Sequence, residues 1–338
     1  MKDILYAVPK AFALKGRLID PMFLRRLVHA ENLQRMTELM RNTPYHEKLA
    51  VIKEPTGIIL EKVFRNSLVE DEIKLSRFVE GKRRKFLNAL FSRHEIDNLK
   101  LFLKALVRGI PRDIFLERIN LDVEKHLDKR ALFVELLASD SIHEASLILK
   151  ELGYELDLES LVKEERAELI DFLLDKNFYI NLLEALSLLG KEESGDILHV
   201  FSPRIDKYNL MLVLRSSFLG LSLDEIEKLL VKNPKGIPLK ELIEASSATL
   251  EDLAKILRTY GYSEIPLSKE LSPVKLEKEL MRVHYNRAET LFLGKTLTIK
   301  PLVGAILLKE REVLNLVAIV YGVERRLPPS TILEEIII

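Results

Sequence analysis

Apolar residues recur along much of this chain at intervals of three and four, with charged residues filling the gaps. Three stretches repeat the pattern in the same form: NLQRMTELMRNTPY from Asn32 to Tyr45, SIHEASLILKELGY from Ser141 to Tyr154, and TLEDLAKILRTYGY from Thr249 to Tyr262. Apolar positions fall at Leu33, Met36, Leu39 and Met40, at Ile142, Ala145, Ile148 and Leu149, and at Leu250, Leu253, Ile256 and Leu257. That spacing lays one stripe along a helix. Each stretch opens on a residue able to accept a bond from an orphan backbone N–H: Asn32, Ser141 or Thr249. Glu144 is placed to complete a capping box in the second copy, and Asp252 holds the equivalent place in the third. The helices are expected to stop near Pro44, Gly153 and Gly261, and a tyrosine follows each time.

A second landmark recurs with the first. EIDNL at 95–99, DKYNL at 206–210 and EVLNL at 312–316 share the form acid-x-x-Asn-Leu. From each tyrosine to the next asparagine is 53, 55 and 53 residues. Apolar residues then follow at a helical spacing: Leu99, Phe102 and Leu103; Leu210, Val213 and Leu214; Leu316, Ile319 and Val320. Gly109 and Gly220 lie eleven residues past their asparagines, while the third copy has Gly322 earlier. New helices are expected at PRDIFLERI, SLDEIEKLL and PSTILEEII, the second opened by a capping box of Ser222 and Glu225. Two landmarks held at a constant separation point to a triplicated helical unit of about 110 residues, larger than a solenoid repeat. The expected divisions are 1–120, 121–235 and 236–338, with boundaries near NLDVEK (120–125) and KNPKG (232–236). The one weak strand signal, KTLTI at 295–299, has no hairpin partner, so the fold class expected is all-α.

Composition narrows the chemistry. The 338 residues include no cysteine, which removes disulfides, thiolate nucleophiles and cysteine-bound metals. Glutamine occurs once, at Gln34, against abundant Lys and Glu, a bias that resembles thermophile proteins. Net charge is zero, yet residues 1–120 hold 24 Lys and Arg against 15 Asp and Glu, and residues 121–235 hold 14 against 23. Such asymmetry suits mutual docking or a charged partner rather than a generally basic nucleic-acid binder. The longest apolar span, PLVGAILL at 301–308, is far shorter than the roughly 20 residues a membrane helix needs, and no secretory signal is visible. A protein without a membrane span, at most peripheral to a bilayer, is expected.

No phosphate-binding glycine loop, GxSxG elbow or metal spacing among the seven histidines is present, so no catalytic residue, cofactor or metal is expected. The pairs Glu95 and Asn98, Asp206 and Asn209, and Glu312 and Asn315 are the candidate polar positions. Residues three apart share a helix face, so these pairs either line a shared axis or partner surface, or clamp nearby loop backbone. Repetition in every copy favours the clamp. The cluster Lys82, Arg83, Arg84 and Lys85 reads as a solvated helix face or as a contact for an acidic partner or anionic headgroups. A helical scaffold gripping nucleic acid or another acidic partner through the first third is the alternative that this cluster raises.

RHEIDNLKLFLKALVRGI (93–110), LGLSLDEIEKLL (219–230), LEDLAKILRTYGY (250–262) and KEREVLNLVAIVYGV (309–323) together resemble the C-subunit family (the d-subunit family in eukaryotes) of the V-type and archaeal-type rotary ATPases. Val317 stands where that resemblance leads one to expect a basic residue. The resemblance implies a funnel of three similar helical domains around a pseudo-threefold axis, without catalytic activity. It implies that the wide opening receives the central stalk and that the other face sits on the membrane rotor ring, coupling ATP hydrolysis or synthesis to ion transport. It further implies one copy per complex, a place at the cytoplasmic face of the membrane, and no nucleic-acid partner.

Overall fold

The computed structural model describes residues 2–245, 250–265 and 272–338. Thr249, the expected third-copy cap, lies outside them. Helices account for all the regular structure among the described residues, and 295–299 is a run of bends and irregular backbone rather than a strand. The chain begins with α1 (Lys2–Gly16), α2 (Pro21–Leu27), α3 (Leu33–Leu39), α4 (His46–Leu49), α5 (Gly57–Ser76) and α6 (Gly81–Val107). It continues through α7 (Arg112–Leu116), α8 (Asp122–His126), α9 (Arg130–Ala138), α10 (Ile142–Glu151), α11 (Leu158–Lys163), α12 (Leu169–Ser187) and α13 (Lys191–Arg215). The last are α14 (Leu223–Leu229), α15 (Leu239–Ala245), α16 (Leu250–Thr259), α17 (Pro273–Ala288), α18 (Lys300–Glu324) and α19 (Pro329–Glu335).

Local chemistry explains the starts. Asn32 accepts from the Arg35 N–H at 2.8 Å, and Ser141 from the Glu144 N–H at 3.2 Å. The Ser222–Glu225 capping box closes in both directions. Glu144 behaves differently from expectation. Its carboxylate takes the N–H of Asp140, one residue before the cap, because Ser139 enters with extended backbone that brings that group within 3.1 Å.

The three long helices α6, α13 and α18 carry the acid-x-x-Asn-Leu motifs, and they end alike. Gly109 and Gly220 sit at φ +63° and +62°, where a side chain would be strained. The next N–H turns back five residues, Ile110 to Ala105 at 2.9 Å and Leu221 to Ser216 at 3.0 Å, a Schellman closure. The third copy closes the same way, Leu327 to Gly322 at 2.9 Å, but its left-handed residue is Arg326 at φ 56°. Gly322, expected to be an early stop, lies inside α18. A Cβ there would stand 2.6 Å from Ile332 Cγ1, so this glycine serves close packing of α19 on α18.

The chain groups into two compact units. The first joins the residues up to Glu80 with Tyr285–Ile338, and the second is Gly81–His284. In the first, α18 packs along α5 and α1 lies beside both. Met36, Met40, Tyr45, Phe64, Leu316, Ile319 and Ile332 form its core. In the second, α12 packs along α6 and against α13. Two units are a coarser division than the three stretches expected from sequence.

Candidate functional site

Glu95, Asp206 and Glu312 fall in the middle of α6, α13 and α18, and all three are buried. A buried carboxylate needs donors, and a tyrosine supplies one in each copy. Tyr154 donates to Glu95 Oε1 at 2.7 Å, Tyr262 to Asp206 Oδ2 at 2.5 Å, and Tyr45 to Glu312 Oε1 at 2.7 Å. These are the tyrosines that close the capped stripes. Each one takes the acid of the preceding copy, and the first takes the acid of the last.

The remaining donors differ. Lys129 Nζ reaches Glu95 Oε1 at 2.7 Å. Asp206, one methylene shorter, is met by the loop after α14: Asn233 Nδ2 at 2.8 Å and the Ile237 N–H at 3.2 Å to each oxygen. Gly236 in that loop lies so close to the Asp206 carboxylate and Asn233 Nδ2 that no side chain fits. Glu312 is met by Lys309 Nζ at 2.7 Å and by the Ile19 N–H. Burial and the neighbouring carboxylates push the Tyr45 and Tyr154 hydroxyls well above the usual phenol range.

The asparagines face other partners. Asn209 bonds both N–H and C=O of Val231 at 2.9 and 2.8 Å, and Asn315 bonds both of Ile337 at 2.7 and 2.8 Å. Asn98 gives its amide to the Asn120 carbonyl at 2.9 Å and to Glu124 Oε1 at 2.7 Å. In every copy the partner lies 22 residues on, where the chain passes the motif helix again. Acid and asparagine therefore take separate partners: the acid a tyrosine from elsewhere, the asparagine a loop backbone. Glu124 has a second oxygen without a bond, and burial, with the Glu95 charge adding to it against Asn98's bond, raises its carboxyl to about 7.

The basic cluster opens α6. Lys82 and Lys85 are exposed, while Arg83 and Arg84 are half-buried. Arg83 pairs with Glu193 at 3.0 Å.

A family described as ATP synthase (C/AC39) subunit matches residues 7–335. The chain belongs to that family. Its members form a structural rather than a catalytic part of the ATP synthase. Similar proteins include the C-type subunit of the A-type ATP synthase of Pyrococcus furiosus, 24% identical, with 97% of this chain and 89% of the relative covered. Its counterpart in Methanocaldococcus jannaschii is 25% identical, with 94% and 82% covered. The counterpart in Methanosarcina barkeri is 25% identical, with 98% and 92% covered. The relatives are thus matched over most of their length, which makes this chain a rotary-ATPase subunit. No helix among the described residues is long and apolar enough to cross a membrane.

The largest groove of the second unit fits a structural role. It holds about 510 Å³ between α6, α12, α13 and α17. Its charges are spent on one another: Lys100 with Asp175 and Lys104 with Asp171 at 2.5 Å, and Lys207 with Glu277 at 3.0 Å. Burial raises the Asp175 carboxyl despite Lys100, but the ammonium occupies the oxygen a base would use. Among the described residues no cluster suited to a metal ion is present.

The tyrosine–acid bonds were legible only in part. Tyr45, Tyr154 and Tyr262 stand out as landmarks at constant distance from the motif, a signal that they meet it. Lys129, Lys309 and Glu124 have no counterpart in all three copies, so nothing in the repeat marks them.

Proposed function

We propose that this chain is the central-rotor socket of its ATPase: three modules about a pseudo-threefold axis, receiving the central stalk on one side and resting on the membrane rotor ring on the other. Each module consists of one motif helix, the loop its asparagine clamps, and the tyrosine that completes its acid. The divisions 1–120, 121–235 and 236–338 are then a reading of the gene, and the physical modules are offset from them by part of a repeat. The observation that carries the reading is the wrap-around bond from Tyr45 to Glu312, 267 residues apart. A linear array would leave the first tyrosine and the last acid unpaired; a closed series pairs them. Close-packed helices transmit strain with little give, as a torque coupler requires.

The chain performs no chemistry in this role. It couples by shape, at the cytoplasmic face of the membrane, through partners that carry the nucleotide sites and the ion path. The basic cluster at Lys82–Lys85 supports a nucleic-acid grip poorly, because Arg83 is already committed to Glu193. Reconstitution of stalk and rotor ring with and without this chain tests the reading. ATP hydrolysis is expected to drive ion movement only when the chain is present. Full coupling without it would overturn the socket.

A further inference from the structure

A second groove lies in the first unit, between α1 and α5. Its walls are two stripes at helical spacing: Lys10, Ala13, Leu14 and Arg17 on α1, and Asp71, Lys74, Leu75 and Phe78 on α5, with Arg77 at the rim. Stripes of this kind normally close on each other. Here they leave about 470 Å³ unfilled, within the range of about 300–1,000 Å³ usual for small-ligand sites. The floor is apolar: Leu14 and Leu75 are buried, with Ala13 and the Phe78 ring beside them.

The rim is cationic. Four cations face one carboxylate, and that carboxylate is already balanced, with Lys309 and Lys74 each 4.0 Å from Asp71. Among the described residues Lys10, Arg17 and Arg77 make no ion pair. Lys10 lies 5.1 Å from the centre of the Phe78 ring, which holds its charge over the apolar floor. The outward face of α1 next to this rim is itself apolar, with Leu5 47%, Tyr6 70% and Phe12 42% exposed. Exposed aliphatic and aromatic residues beside a row of cations are the pattern of a helix lying in a bilayer interface.

We propose that the α1–α5 groove binds an anionic phospholipid at a membrane surface. The phosphate sits among Lys10, Arg17 and Arg77, and the first part of an acyl chain lies on Leu14, Leu75 and Phe78. Leu5 and Tyr6 enter the interface beside it. An acidic peptide would satisfy the cations, but it would leave that exposed apolar face of α1 without a role. This inference goes beyond the socket role and does not depend on it.

The full-length chain is mixed with vesicles of phosphatidylcholine alone, or with added phosphatidylglycerol, and bound protein is separated by flotation. Binding is expected only with the anionic lipid, and it should weaken as salt is added. Each rim cation near the surface contributes about fivefold in partitioning, so K10A with R77A is expected to lose about thirtyfold. Leu5→Ser with Tyr6→Ser should also weaken binding, with the melting curve unchanged because both residues are exposed. Lys82→Ala with Lys85→Ala should leave it as it was. Equal binding to neutral vesicles, or indifference to the rim substitutions, would overturn the proposal. So would inorganic phosphate or an acidic peptide competing fully while the Leu5 and Tyr6 substitutions have no effect.

Discussion

A carboxylate buried in the middle of a long helix must be given donors, and the donors differ between the three copies. Glu95 has Tyr154 and Lys129 on one oxygen and nothing on the other. Asp206 has Tyr262, an amide and a backbone N–H. The same Tyr→Phe change should therefore cost different amounts. Tyr154→Phe is expected to cost about 1.5–3 kcal/mol in urea unfolding and Tyr262→Phe distinctly less. Equal losses would mean the hydroxyls matter for packing alone. Glu124 adds a dependence on pH. Its carboxyl titrates near 7 when folded, against an ordinary value of 4.5. Between those values the folded chain keeps a proton that the unfolded chain has lost. This group's contribution is most favourable at low pH and is lost as pH rises through about 7. Unfolding of the second unit should become easier by on the order of 2–3 kcal/mol from about pH 5 to about pH 8, and Glu124→Gln should flatten that slope. An unchanged slope in the variant would assign the effect elsewhere.

At the scale of elements, caps and stripes were legible and closures only partly so. Ser222 with Glu225, and the apolar positions after each asparagine, follow from local spacing and form as the sequence implies. Gly322 misled because a glycine near a helix end looks like a terminator, whereas its reason is Ile332, a neighbour from another helix that no local pattern contains. The residue that does terminate α18, Arg326, is unremarkable in sequence and is left-handed only because the closure demands it. Glycine there avoids a strain of roughly 1–2 kcal/mol, so Arg326→Gly is expected to raise the melting temperature of the first unit. Gly236→Ala should do the reverse in the second unit, since its Cβ would displace the Asp206 carboxylate from Ile237 and Asn233. Thermal unfolding of the two variants reads both signs.

The whole molecule shows where a linear reading stops. The sequence displays three like copies, and their spacing says which residues correspond. It does not say that each tyrosine belongs to its neighbour's acid, because correspondence is a property of order along the chain and pairing is a property of space. The first unit makes the difference plain: its core unites Met36, Met40 and Tyr45 with Leu316, Ile319 and Ile332. Deleting the residues after Leu327 removes the Asn315 clamp to Ile337 and the Ile332 contact with Gly322. Limited proteolysis of that deletion is expected to open sites within residues 20–80 while Gly81–His284 stays protected. Loss of protection in both stretches together would make the two units one cooperative body.

The Tyr45–Glu312 bond also sets an order on biosynthesis. The tyrosine leaves the ribosome long before its carboxylate, so the early helices wait, their apolar stripes uncovered, while the middle of the chain is made and folds. Newly made protein should then depend most on chaperones in its earliest segment, and any stall before α18 would strand that segment half-built.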